Sequence, residues 1–208
     1  LSAAFVLRGT PTHQERNVTI RPIVIYGEPV LHRRAAEVTT IDDEIRTLVS
    51  DMHETNDAAN GVGLAAPQIG VGLRIFVYNY PDHHDDAPHR GVVINPRLTL
   101  SKISGAAPDP DEMSEGCLSV PGLDFPLQRA DYARVQGLDV DGTEVDFEAH
   151  DWFARVMQHE YFHLDGKLYV DMLDAKWGKR WKKQQKRGGI NQPGQTWMPG
   201  VDPDPFGH

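Results

Sequence analysis

A chain of 208 residues is long enough for one domain with a substantial core. Its 30 acidic and 21 basic residues leave a net charge of −9, which excludes a uniformly basic nucleic-acid-binding surface. No apolar run approaches the roughly twenty residues of a membrane span, and the single cysteine excludes an internal disulfide and fits a reducing cytoplasm.

Residues 1–20 read as a polar lead-in. The opening "LSAAFVLRGT" has an apolar patch with no basic stretch ahead of it, which is not the pattern of an export signal. Thr40 is placed as a helix cap. Ile41, Ile45, Leu48, Val49 and Met52 follow at helical spacing, and Asn60-Gly61 ends the helix, with His53 on its exposed side. "RIFVYNY" (74–80) and "GVVINPRLTL" (91–100) are β-branched and aromatic, and predict strands. The acidic loop between them, with His83, His84 and His89, reads as solvated. "RVQGLDVDGTEVDFEAH" (134–150) predicts two strands joined by a tight turn at Asp141-Gly142.

Asp151 is placed as the cap of a second helix, with Phe153, Val156, Met157 and Leu164 as its apolar stripe and Gly166 as its stop. Residues 176–187 carry seven Lys/Arg and no acid, with Trp177 and Trp181 between them. Such a segment suits either nucleic-acid contact or a solvated amphipathic helix. The Gly- and Pro-rich remainder is expected to lie over the surface or to lack order. Helices mixed with hairpins, without a βαβ rhythm, predict an α+β fold: antiparallel strands and hairpins packed around a central helix carrying His-Glu-x-x-His. The organisation predicted is 1–20 lead-in, 21–175 catalytic domain and 176–208 tail.

Chemistry concentrates in "QHEYFHLDG" (158–166). His159 and His163 are four residues apart, so one helix face presents both imidazoles to one metal. Glu160 can approach a water at that metal without ligating it, which suits a general base. A catalytic site needs a third protein ligand. The extended motif that ends in a third histidine has Tyr169 at that place, and no glutamate follows Glu160. Asp171, Asp174 and, upstream, Cys117 remain as candidates; a thiolate suits a borderline or soft metal.

Three segments in order, "GVGLAAPQIG" (61–70), "EGCLS" (115–119) and "QHEYFHLDG", resemble the three motifs of the peptide deformylases. "YGEPVLHRRAAEV" (26–38) resembles that family's N-terminal strand region, and the C-terminal segment resembles that of actinobacterial members. The resemblance spans about residues 20–175. One departure is Phe162, where many members carry an aspartate.

The resemblance implies a hydrolase that removes the N-formyl group from the initiator methionine of new polypeptides. Cys117, His159 and His163 would hold one divalent metal, Fe(II) natively, with nickel, cobalt or zinc tolerated. The metal would activate a water, Glu160 would serve as base and then acid, and Gln68 and the Leu118 N–H would face the oxyanion. Gly61, Gly63 and Gly116 would let the peptide approach the backbone, and Val62, Trp152 and Val156 would line the methionine pocket, with Arg155 at its mouth. Glu115 and Arg129 would pair behind the metal loop. The partners implied are a formyl-methionyl nascent peptide and a ribosome contact through 176–187. Two alternatives stay open: a zinc endopeptidase with a downstream aspartate ligand, and a ribosome-associated module with a structural metal.

Overall fold

Strand alternation fixes the architecture. The computed structural model describes residues 18–81 and 89–206. In β3 (Ile75–Tyr80) and β4 (His89–Leu100), Ile75, Val77, Val92 and Ile94 point to one face and Phe76 and Val93 to the other. The first face is covered by α1 (Asp43–Ala58) through Leu48, Val49 and Met52, and the second by α2 (Asp151–Leu164) through Ala154, Met157 and Leu164. With β2 (Gly63–Ala65), β7 (Tyr132–Leu138) and β8 (Glu144–His150) these strands form an antiparallel sheet of order β2-β3-β4-β7-β8, with β2 at an edge. The strands are therefore sandwiched between two helices rather than gathered around one.

Two short sheets flank this body. β5 (Ser114–Cys117) and β6 (Val120–Pro126) form a hairpin in which Cys117 faces Val120, so Leu118 and Ser119 are its two turn residues. β1 (Ile23–Val24) pairs with β9 (Thr196–Trp197) near the other end of the chain. A third helix, α3 (Ala175–Gly188), is capped by Asp174, whose side chain accepts from the N–H groups of Lys176 and Trp177.

Several local expectations change. α1 starts later than Thr40: Asp42 caps it, its carboxylate accepting from Ile45 N at 3.0 Å. Asp141-Gly142 sits in a wider turn, tied by the Asp139 carboxylate to Asp141 N and Thr143 N. Asp151 is the first helical residue of α2 rather than its cap, at φ 48, and its N–H is held by Asp131 O at 2.9 Å. Residues 29–32 of the "YGEPVLHRRAAEV" stretch form a 3₁₀ turn. Pro96 is tolerated inside β4 because the register shifts between Ile94 and Arg97. His89 belongs to β4 and stacks on Phe153, while His83 and His84 lie outside the described residues, as do residues 1–17.

Gly166 does end α2. Its N–H bonds His163 O and that of Lys167 bonds Phe162 O, at φ 71 for Gly166, which is the reciprocal glycine stop. A β-carbon there would also lie 2.7 Å from the Arg33 backbone. At Gly142, φ is 79 but nothing lies within 4 Å. Gly142→Ala should therefore cost about 1 kcal/mol, whereas Gly166→Ala should cost about 2 kcal/mol or more and lower Tm by roughly 5 °C. Equal melting temperatures for the two variants would contradict this packing.

His53 is half-buried rather than exposed, and its Nδ1 has no protein partner among the described residues. Burial, then the charge of Arg90, holds it neutral down to about 4, from the ordinary 6.5. The unfolded chain takes up that proton at higher pH, so this contribution is full above 6.5 and declines as pH falls toward 4. Denaturant unfolding of His53→Gln should show a flatter stability profile across that window. Profiles parallel to wild type would remove His53 from the account.

Candidate active site

α2 and the β5–β6 hairpin bring together the residues that matter. α2 buries its apolar face on the sheet and is locked to the segment before β7 by Gln158, which accepts from Ala130 N and donates to Ala130 O. With the helix fixed this way, His159 and His163 meet Cys117 at the end of β5. The Cys117 Sγ lies 3.3 Å from His163 Nε2, which lies 3.2 Å from His159 Nε2. All three donor atoms fall within 4.8 Å of one another, the one such His/Cys/acid group among the described residues.

The donor set fits a divalent metal. Two imidazoles and one thiol converge from well-packed positions, leaving room for a further ligand on the cavity side. The surroundings also favour positive charge. Burial opposes protonation of His159, yet the Cys117 sulfur and the Glu115 carboxylate outweigh it and raise its pKa to about 10. His163, by contrast, is pushed well below its ordinary value by burial and then by His159.

Behind His159 stands a buried ion network. Glu115 Oε2 is 3.1 Å from His159 Nδ1, and both Glu115 oxygens accept from Arg129. Burial alone would raise Glu115, but Arg129 and then His159 overcome it and hold the group down at about 2. Glu115 therefore orients His159 as a carboxylate. His163 Nδ1 has no protein partner among the described residues. At Phe162, the Arg129 guanidinium lies 5.5 Å from the ring centroid, a cation–π contact.

The remaining predicted residues gather around a cavity of about 270 Å³. Gly61, Val62, Gly63, Gln68, Gly116, Leu118, Trp152, Val156 and Glu160 all line it. Glu160 is 4% exposed, and its Oε2 has no protein partner among the described residues. Burial raises its pKa to about 7. The Gln68 amide is fixed: Oε1 accepts from Ala65 N at 2.8 Å, which turns Nε2 toward Cys117 Sγ at 3.6 Å. Val62 and Trp152 are half-exposed at the rim, while Val156 is buried.

At two of the glycines a side chain would also meet the protein itself. A β-carbon at Gly63 would lie 2.6 Å from Glu160 Oε1, and one at Gly61 would lie 2.3 Å from Asn56 Oδ1. They make room for the protein's own side chains. At Gly116 the nearest atom would be 3.8 Å away, so that glycine does leave an open face. Arg155 is buried, lines the cavity beside Trp152 and donates to Leu127 O at 2.8 Å. The downstream aspartates are engaged elsewhere: Asp171 accepts from Tyr26 Oη and Leu168 N, and Asp174 caps α3. Tyr169, which breaks the three-histidine motif, stacks on His159 with centroids 6.0 Å apart.

Trp177 and Trp181 are packing residues. Trp181 is buried against Tyr26 and Phe125, and Trp177 packs on Phe125. All seven Lys/Arg of 176–187 are exposed. Among the described residues, no helix is long and apolar enough to cross a membrane.

A Cys-His-His donor set with a buried glutamate beside it is the make-up of a metal-dependent hydrolase. The sequence pattern described as polypeptide deformylase matches residues 20–178. The chain is 51% identical over 197 residues to the peptide deformylase of Mycolicibacterium smegmatis, covering 92% of this chain and all of that one. It is 53% identical over 192 residues to peptide deformylase 2 of Corynebacterium efficiens, covering 92% and 99%. Its fold is similar to the peptide deformylase of Thermus thermophilus (TM-score 0.70, 37% identity, 81% of this chain and 94% of that one). It is also similar to that of Ehrlichia chaffeensis in complex with actinonin (TM-score 0.69, 36% identity, 81% and 98%). The chain belongs to the polypeptide deformylase family.

Proposed function

We infer that this chain removes the N-formyl group from the formyl-methionine that begins newly made polypeptides, releasing formate. The observation that carries the mechanism is the buried carboxylate of Glu160 in the cavity lined by Cys117 and His159, whose donor atoms lie within 4.8 Å of that of His163. We assign those three residues as ligands of one divalent metal, Fe(II) natively, with nickel, cobalt or zinc as substitutes. When bound, such a metal supplies Lewis acidity that brings a water's pKa toward neutrality and polarises a carbonyl.

The chain's own residues do the rest. β2 is an edge strand beside the cavity, suited to a peptide laid alongside it. The first side chain enters toward Val62, Trp152 and Val156, and Gly61, Gly63 and Gly116 line its approach. Glu160 takes the proton of the attacking water as the water oxygen bonds the formyl carbon. The Gln68 Nε2–H and the Leu118 N–H face the oxygen that gains charge. Glu160 then delivers its proton to the peptide nitrogen as the C–N bond breaks, freeing the amine and formate.

In this reading α2, with its His-Glu-x-x-His, is the metal-binding helix of a catalytic unit spanning 21–175, and 176–208 is a basic then Gly/Pro-rich tail. The enzyme works in the cytoplasm, and the exposed cations of 176–187 are its contact with the ribosome. Mass spectrometry of a formyl-methionyl peptide after incubation tests the reading. Loss of the formyl group alone is the expected result; cleavage at internal bonds would instead favour an endopeptidase.

A further inference from the structure

The Gly- and Pro-rich tail reaches the cavity. Ile25 N bonds Gln195 O at 3.0 Å, β9 then pairs with β1, and Trp197 is buried in the same core cluster as α1. From there its indole Nε1 donates to Leu118 O at 3.0 Å. The chain next folds on itself, with the Asp202 carboxylate accepting from Met198 N at 2.7 Å and Asp202 N bonding Met198 O at 2.9 Å. This turn delivers Phe206 onto Trp197, edge to face at 6.1 Å, where Phe206 lines the cavity together with Asn60, Gly61 and Leu118.

We propose that residues 196–206 complete the substrate site, with Trp197 as a positioning residue for Leu118 and Phe206 as an apolar wall for the substrate beyond its first residue. Leu118 is one of only two turn residues between Cys117 and Val120. Two dihedrals connect its carbonyl to its own N–H, so a buried donor that pins the carbonyl restricts where the N–H aims. Phe206 comes from the tail side of the cavity, whereas Trp152 and Val156 line it from α2. A first side chain lodged against α2 leaves Phe206 to the chain that follows, and the ring favours apolar residues there. This inference deepens the deformylase reading and rests on it.

The test uses the full-length, nickel-loaded protein on N-formylmethionine and on a formyl-methionyl tripeptide with apolar second and third residues. Trp197→Phe keeps an aromatic ring and removes the donor. It should lower kcat about fivefold on both substrates with little change in KM, and Tm should stay within a few degrees. Phe206→Ala should cost about tenfold in kcat/KM on the tripeptide, mostly through KM, and only about twofold on N-formylmethionine. Phe206→Leu should recover most of that loss. Wild-type kcat in Trp197→Phe, or equal losses on the two substrates in Phe206→Ala, overturns the proposal while wild-type activity keeps the deformylase reading. No formate from the wild type on either substrate overturns both.

Discussion

Glu160→Gln is expected to keep its metal and its melting temperature while formate release falls by about 10²- to 10⁴-fold. Glutamine matches the shape of the side chain that fills the space left by Gly63, so the fold has no reason to respond. What is lost is a proton acceptor. Glu160 is buried, and its Oε2 has no other protein partner among the described residues. Burial already holds its pKa near 7, where a carboxylate can both take and return a proton. Metal content measured alongside turnover separates the two roles. Normal turnover in the variant would remove Glu160 as the base, and lost metal would make it a ligand instead.

Cys117→Ser should strip the metal and, with it, the activity. A serine hydroxyl does not ionise near neutral pH and is a poor ligand for the borderline metals that a thiolate holds. Metal per chain after dialysis should fall far below that of wild type, and formate release should fall in proportion. Cys117 also sits 4% exposed among Val120, Phe125, Leu168 and Tyr169. The variant therefore buries a hydroxyl in apolar surroundings, at about 1–2 kcal/mol, and its melting temperature must be measured beside its metal content. Full metal content and full rate would show that the sulfur is not a ligand. In the proposed Fe(II) form, the Cys117 thiolate is expected to be sensitive to oxidation.

The donors were legible because helical spacing is rigid: positions 159 and 163 must share a face, wherever the helix packs. Cys117 was harder, since nothing local in "GCLSV" distinguishes a ligand from a core cysteine, and only the lack of the motif's third histidine or a downstream glutamate and the family likeness pointed to it. The β5–β6 hairpin stayed hidden because Gly116, Pro121 and Gly122 break strand patterning, although a two-residue turn is what puts Cys117 and Leu118 side by side. The β1–β9 pair was invisible for a different reason. Two-residue strands from opposite ends of the chain carry no periodicity, and their pairing is decided by the burial of Ile23 and Trp197. A tryptophan and a phenylalanine in an otherwise Gly/Pro-rich tail were the available signal. That Gly61 and Gly63 also make room for Asn56 and Glu160 could not be read from the sequence, because those side chains come from α1 and α2.

The central claim is that Cys117, His159 and His163 hold a metal that this chain uses to hydrolyse a formyl amide. The most direct measurement is formate release from a formyl-methionyl peptide by one wild-type preparation, assayed after chelator treatment and again after reloading with Ni(II). The account predicts no release from the stripped protein and restored release at about one metal per chain. Undiminished release without metal, or none with the site fully loaded, would contradict it.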